Sequence, residues 1–578
     1  MSKLKNVLMM VAAGLFAASA CTNAIAEGDQ QPGLRDGDVV MCLGDSITAS
    51  GDQKWGYVEQ MRKFVKEWKP EWNVRFYTCG FSGATAGFAN QLLEKYYPDV
   101  KSGKIEKPDE SISNLVKAID AKPTIVIYMF GVNDVCANNI AKSRPADMTR
   151  IMDEYFKGVD RIRTMIQPRE IWLSPPLCAG ERKTSHKNTI VLEYGPLLAK
   201  LAPGHGARVL STQDDFWNAV EAIRRLYPNV RLSADGIHPN SEGNRLIARA
   251  VLKGLGLSGP DKAMPAPISY LPEAERKRIA DEGIAWSYDI TSVDAAKTND
   301  TTVSWRLYLT NLGTEEAKVS LKTTLPDGFQ ITDGSVPAEL SIKAGESKEI
   351  PLTVRGPLTA EKTELLATAN WSHNGKSCER IVKGELQAPW LVLVPVFGKS
   401  NPYVVDQSVP GWKISINPED HTPGLEPIDL NAEYPDKRTG QIAKWRKYVN
   451  HSPYVNVGSQ DGIDFYNLDD CLLQSTAFGV RWVHAPEDLD ARLNMHRGNW
   501  TPHEAFTVWI NNGKAYEGIL MKEKDGRVDN PIHLRKGWNR VAFKTSMWQF
   551  LWHAIIEIRD AKGLPISGLT YSIEPPKD

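Results

Sequence analysis

The sequence predicts a multidomain chain: a three-layer α/β domain with a parallel sheet, followed by all-β sandwiches. Three observations predict it. At 578 residues the chain exceeds what one hydrophobic core encloses, so about two to four domains are expected. From about Asp38 to Leu257 short apolar runs alternate with helix-like stretches, the pattern of parallel strands covered on both faces. From about Trp286 onward apolar and polar residues alternate between Gly-, Pro- and Asn-containing turns, the period-two pattern of half-buried antiparallel strands.

Taken in order, Lys3 and Lys5 precede an apolar stretch from Val7 to Ala20. Its charge and length are those of an export signal, and it is short for a membrane span. Two processing sites compete. Ala24-Ile25-Ala26 before Glu27 fits ordinary secretion and gives a signal over 1–26. Ala18-Ser19-Ala20-Cys21 has the form of a lipobox, with Ala18 where Leu is commoner, which makes Cys21 the alternative lipid anchor. The expected location is that of an exported bacterial protein, periplasmic or extracellular, or an outer-membrane lipoprotein if Cys21 is used. No later stretch reads as a transmembrane span.

In the α/β domain, placed at 34–258, the runs Val39 to Leu43, Val74 to Thr78, Thr124 to Phe130, Glu170 to Leu173 and Val209 to Ser211 read as strands. Tyr57 to Trp68, Ile112 to Ile119, Met148 to Met165 and Ser241 to Leu255 carry helical spacing. Pro260, Pro265, Pro267 and Pro272 mark a linker over 259–285, which holds a short charged helix from Glu273 to Glu282.

Residues 286–387 form the first β module, immunoglobulin-like by pattern. Its strands are Thr302 to Asn311, Val319 to Thr324, Glu349 to Val354 and Glu364 to Trp371. No charged residues cluster there at catalytic spacing, so it reads as a spacer or docking module. Residues 388–578 hold nine of the 17 tryptophans. Phe506 to Gly513 is a strand entering an Asn-Gly hairpin turn, and Ile532 to Lys544 is a second strand-pair signature. This region resembles the galactose-binding-like jelly rolls attached to many bacterial carbohydrate-active enzymes. The resemblance implies aromatic faces for sugar rings; filling of sandwich cores is the alternative use of the tryptophans.

Lys and Arg total 69 against 70 Asp and Glu, a net charge of -1. Such a chain has no field to gather nucleic acid, and no nucleic-acid partner is expected. Besides Cys21 there are six cysteines, too few for a disulfide framework at this length. Cys42 and Cys79 read as free and buried. Cys136 and Cys178 follow apolar runs and have the placement to meet at one sheet edge, bridged or free. No His/Cys cluster has zinc-like spacing, so neither metal nor other cofactor is expected.

The chemistry gathers in four blocks. Leu43-Gly44-Asp45-Ser46-Ile47-Thr48 breaks a buried strand with a small hydroxyl at a sharp turn. Alone, Gly-Asp-Ser is a common loop tripeptide. Thr78-Cys79-Gly80-Phe81-Ser82-Gly83, Gly131-Val132-Asn133-Asp134 and Asp235-Gly236-Ile237-His238-Pro239 follow in order. Each lies after an apolar run or in a turn before a helical pattern. A serine hydroxyl needs a base to take its proton, and His238 is the histidine of this domain that sits in such a block. His186 and His205 read as surface-loop residues. Asp235, three residues before His238, has the spacing to bring a carboxylate toward Nδ1 of the ring.

Together the four blocks resemble the signature blocks of the SGNH hydrolases, the GDSL esterase/lipase family, over roughly residues 36 to 257. The resemblance implies a flavodoxin-like fold and acyl transfer from an ester. It implies Ser46 as nucleophile, His238 as general base and then acid, and Asp235 as the group that orients the imidazole. It also implies an oxyanion hole made by the backbone N–H of Ser46, the backbone N–H of Gly80 and the side-chain amide of Asn133. Thr78 stands where the second block usually has Asn. Asp45 and Asp134 read as loop-bracing groups, and Trp55 as a pocket wall or a core residue.

The expected function is an exported serine esterase acting on O-acyl, chiefly O-acetyl, esters of carbohydrates. Its partner would be an acetylated poly- or oligosaccharide. A lipase or general small-acyl esterase is the second reading. A surface glycan-binding protein with an inactive hydrolase domain is the third, and the presence of Ser46, Gly80, Asn133, Asp235 and His238 argues against it.

Overall fold

The computed structural model describes residues 33–136, 145–177, 183, 186–228, 230, 232–233, 236–259, 267–396, 403–406, 413–416, 428–435, 442–451, 462–465, 468, 476–496, 505–546 and 553–574. The export signal and lipobox, Asp235, Cys178 and the side chain of Cys136 lie outside the described residues.

The first core is organised by five strands: β1 (Val39–Gly44), β2 (Arg75–Gly80), β3 (Ile125–Met129), β4 (Glu170–Leu173) and β5 (Arg208–Val209). All neighbours are parallel, in the order β2-β1-β3-β4-β5. This is a doubly wound order, and its switch point lies between β1 and β3. Every residue of β1 and β3 is buried. A strand with no exposed position is covered on both faces, which is why these runs are continuously apolar rather than alternating.

The covering helices include α1 (Ser46–Ala49), α2 (Tyr57–Trp68), α3 (Glu110–Asp120), α4 (Val132–Cys136), α5 (Pro145–Met165), α6 (Thr212–Leu226) and α7 (Ser241–Gly254). Helical turns also run from Phe88 to Lys101, with a π-type turn at Leu92–Tyr96. The segment after α7 is not a free tether. Tyr270, Leu271 and Ile279 join the first hydrophobic core, the last from helix α8 (Glu273–Glu282).

A two-sheet antiparallel sandwich follows. One sheet has the order β6-β7-β11-β9, from β6 (Ile284–Lys297), β7 (Asp300–Asn311), β9 (Gln330–Asp333) and β11 (Ser347–Gly356). The other has the order β10-β8-β12-β13, from β8 (Ala317–Thr324), β10 (Glu339–Ile342), β12 (Lys362–His373) and β13 (Lys376–Gln387). Strands β7 and β12 bury alternate residues. The sandwich is fixed to the first unit by Ser287 Oγ, which donates to the Arg225 carbonyl at 2.6 Å, and by Glu282, whose carboxylate pairs with Arg380.

Beyond Trp390 a seven-stranded antiparallel sheet faces a three-stranded one. Its two faces feed different cores. Val392, Val483, Phe506 and Phe543 belong to one, while Phe478, Val480, Trp482 and Ala542 join the core of the preceding sandwich. Arg559 is paired with Glu361 of that sandwich at 2.7 Å.

Two details differ from the sequence expectation. The hairpin after Ala505–Ile510 turns at Asn511–Asn512, with Ile510 opposite Gly513, one residue before the Asn-Gly pair. Asn511 takes the left-handed conformation at φ 55°, which asparagine tolerates, so Gly513 is released to start the return strand. The strands within 532–544 do not pair with each other. Arg527–Leu534 joins the three-stranded sheet and Gly537–Ser546 the seven-stranded one, so the short turn crosses the sandwich. Among the described residues no helix is long and apolar enough to cross a membrane.

Candidate active site

The site forms where β1, β2 and β3 end side by side. β1 delivers the chain to Asp45, whose carboxylate caps α1 by accepting from Ile47 N–H at 2.9 Å. Ser46 is therefore the first residue of a helix, where its own N–H has no intrahelical carbonyl to meet.

Two glycines let α1 lie against the strand ends. A Cβ on Gly44 would stand 2.2 Å from Thr48 Oγ1 and 2.6 Å from the Met129 carbonyl oxygen. A Cβ on Gly80 would stand 1.8 Å from Ala49 N and 2.2 Å from Ala49 Cα. Gly80 is thus fixed by the backbone of α1 packing on it. Gly83 is a turn glycine at φ 76° with open space around it.

Asn133 and Asp134 open α4 just beyond β3, and both side chains reach the loop that follows β2. Asn133 Nδ2 donates to the Ala84 carbonyl at 2.9 Å, which engages one of its two amide hydrogens. Asp134 Oδ2 accepts from Ala86 N–H at 3.0 Å, and Tyr128 Oη donates to the Ala86 carbonyl at 3.2 Å. Gly131 precedes them at φ 125°, and a Cβ there would lie 2.6 Å from Tyr194 Cε1. Thr78, in the place of the usual Asn, donates to Asp52 at 2.6 Å, and Asp52 also accepts from Arg62.

His238 comes from the loop before α7. That loop is closed by the Ser233–Pro239 bridge and by Asn240 N–H donating to the Leu232 carbonyl at 3.0 Å. Inside it, Gly236 turns at φ 84° and its N–H donates to Ser233 Oγ at 2.9 Å. Asn240 then caps α7 by accepting from Glu242 and Gly243 N–H. The result is a contact of 2.9 Å between His238 Nε2 and Ser46 Oγ, across 192 residues of sequence. Both side chains are half-buried. This is hydrogen-bond distance, with the imidazole able to accept the hydroxyl proton.

Asp45, next to Ser46 in the chain, and Asp134 are both buried. Burial pushes each carboxyl up to about 7. For Asp45 the Ile47 N–H and the charge of His238 oppose the rise, while Asp134 adds to it. The folded protein therefore holds protons that the unfolded chain, with carboxyls near ~4, has released. Raising the pH from about 4 through about 7 then favours unfolding, by up to ~1.4 kcal/mol per pH unit for each group. Urea titrations across that range are expected to show stability falling with pH, and Asp134→Asn to flatten the slope while keeping an acceptor for Ala86 N–H. An unchanged slope would refute the assignment.

The other expectations divide. Cys42 and Cys79 are free and buried, with burial raising the Cys42 thiol to about 12. Trp55 is 40% exposed, so it is not a core tryptophan. His205 is not a plain surface-loop residue: its ring stacks on Phe156 at 4.3 Å and bonds Asp160 at 3.0 Å. The side chain of His186 lies outside the described residues. Of the nine C-terminal tryptophans, Trp390, Trp445, Trp482 and Trp509 are buried and Trp538 is 40% exposed. The motif blocks pass over Tyr57 and Asn244, and give Thr48 no role. All three are buried polar residues behind the Ser46 and His238 turns. Asn244 had a readable signal: it occupies the apolar stripe of α7 continued by Ile247, Ala248 and Val251.

The profile of the GDSL-like Lipase/Acylhydrolase family matches residues 42–246. An acetylxylan esterase of Geobacillus stearothermophilus is 25% identical over 243 residues, covering 39% of this chain and 96% of that protein. Among solved structures, a catalytic mutant of the acetylxylan esterase Axe2 from the same organism shares 23% identity over 39% of this chain and 97% of that one, with a TM-score of 0.28. LAE5, an alpha/beta hydrolase enzyme from the metagenome of Lake Arreo, Spain, shares 24% identity over 39% and 98%, also at 0.28.

Proposed function

On the premise that residues 42–246 are a GDSL-like lipase/acylhydrolase domain and that the chain is a carboxylic ester hydrolase, we propose that it is exported and removes O-acetyl groups from carbohydrates through an acyl-Ser46 intermediate. The observation that carries the mechanism is the 2.9 Å contact between Ser46 Oγ and His238 Nε2. His238 takes the hydroxyl proton as Ser46 Oγ attacks the ester carbonyl carbon. The oxyanion is received by the N–H groups of Ser46 and Gly80 and by the second amide hydrogen of Asn133, at a typical ~3–4 kcal/mol per donor. As the intermediate collapses, His238 passes the proton to the departing sugar hydroxyl. Water then attacks the acyl-enzyme with His238 again as base, releasing acetate. Asp235, three residues before His238 in the sequence, is proposed to orient the ring and stabilise the imidazolium.

The acetylated carbohydrate is supported by the acetylxylan esterase relative and by the β-sandwich modules. A panel of acetylated polysaccharides assayed for acetate release, beside an aryl acetate and a long-chain acyl ester, tests it. Release from at least one polysaccharide at a higher kcat/KM than from the long-chain ester is expected. Turnover of the long-chain ester alone would replace this reading with a lipase.

A further inference from the structure

We infer that Asn244, acting through Tyr57 and Thr48, is a positioning residue that holds the His238 turn and the Ser46 turn in register for proton transfer. This rests on the roles proposed above for Ser46 and His238. Asn244 is 1% exposed on the apolar face of α7, where an amide is costly unless its polar atoms are engaged. Its Oδ1 accepts from Tyr57 N–H at 3.0 Å. Its Nδ2 donates to the carbonyls of Pro239 at 2.7 Å and Asn240 at 3.0 Å. The partners fix the amide orientation, since a backbone N–H only donates and a carbonyl only accepts.

Each partner leads to the site. Pro239 directly follows His238. Tyr57 is the first residue of α2, where Gly56 offers no side-chain cap, so Asn244 supplies from a distance the acceptor that the helix start needs. The Tyr57 hydroxyl lies 3.0 Å from Thr48 Oγ1, two residues after Ser46 in α1. A chain of side-chain and backbone bonds thus runs from the residue after the base to the helix that the nucleophile opens. Gly243 makes room for it: a Cβ there would stand 2.1 Å from the Leu232 carbonyl oxygen, at the root of the His238 loop.

A residue that only stabilised the fold would lower melting temperature and leave the rate per folded site unchanged. A brace makes a different set of results. In the full chain, Asn244→Asp keeps an acceptor for Tyr57 N–H and loses both donors. It should lower kcat for p-nitrophenyl acetate by ~10–100-fold, as a small misplacement of reacting groups does, with KM within about twofold. The rate of capture by a fluorophosphonate, counted per folded molecule, should fall by the same factor. Tyr57→Phe should lower kcat by roughly 5-fold, and the double variant should be no slower than Asn244→Asp, because both cut one chain of contacts. Wild-type kcat and capture rate in folded Asn244→Asp, or fully multiplied effects in the double variant, would overturn the brace. If Asn244→Asp does not fold, Tyr57→Phe decides alone, by a wild-type capture rate or a reduced one. Failure of the underlying reading looks different: an active Ser46→Ala, or wild-type protein not captured at Ser46.

Discussion

Ser46→Ala is expected to lower kcat for p-nitrophenyl acetate by ~10⁵-fold or more while leaving the melting temperature within a few degrees of the wild type. The magnitude follows from what the hydroxyl does. Its Oγ sits 2.9 Å from His238 Nε2, and the proposed acyl-enzyme cannot form without it. The side chain is half-buried and small, so its loss removes little packing. His238→Ala should cost a similar factor, and the double variant little more than either single one, because a nucleophile and base of the kind proposed act as a unit. Measurement of kcat for the three variants with circular dichroism of each checks this. Independent, multiplying effects would mean that the two residues do not serve one step.

The second large effect concerns a residue with no functional group. Gly80→Ala places a Cβ where Ala49 N and Cα now stand, at 1.8 and 2.2 Å. Contacts this short force α1 away from the end of β2, and a forced methyl in a tight core costs ~1–3 kcal/mol. Ser46 opens α1, so the displacement moves Ser46 Oγ relative to His238. A loss of ~10²-fold or more in kcat is expected, with a lowered melting temperature. Activity within twofold of wild type would show that α1 does not need Gly80 to be placed.

How far the residues foretell this arrangement depends on the range of the contact. β1 was readable because five apolar residues in a row leave no exposed face. Tyr57–Trp68 and Glu273–Glu282 have the ends that their spacing and flanking Gly56 and Gly283 suggest. β5 is shorter and one residue earlier than the apolar run implies, because Leu210 and Ser211 already turn toward α6. The C-terminal hairpin moved by one residue because Asn511 accepts a positive φ as readily as the following Asn-Gly pair would.

Within the candidate site, Ser46, Gly80, Asn133 and His238 were legible as residue types in ordered blocks, whereas the packing of the α1 backbone on Gly80 was not. The Thr48, Tyr57 and Asn244 contacts were not legible. Asn244 and Tyr57 are 187 positions apart, and no periodicity in either helix points to the other. Trp55 follows a motif yet is exposed, since the short connection between α1 and α2 keeps it outside the core.

The most direct test of the account is to locate the nucleophile chemically. The full-length protein is incubated with a fluorophosphonate, digested, and the adduct placed by mass spectrometry, with His238→Ala treated in parallel. A single adduct on Ser46 is expected, forming in step with loss of esterase activity and far more slowly in His238→Ala. An adduct on another residue that tracks the loss of activity, or full inactivation with Ser46 unmodified, would contradict it.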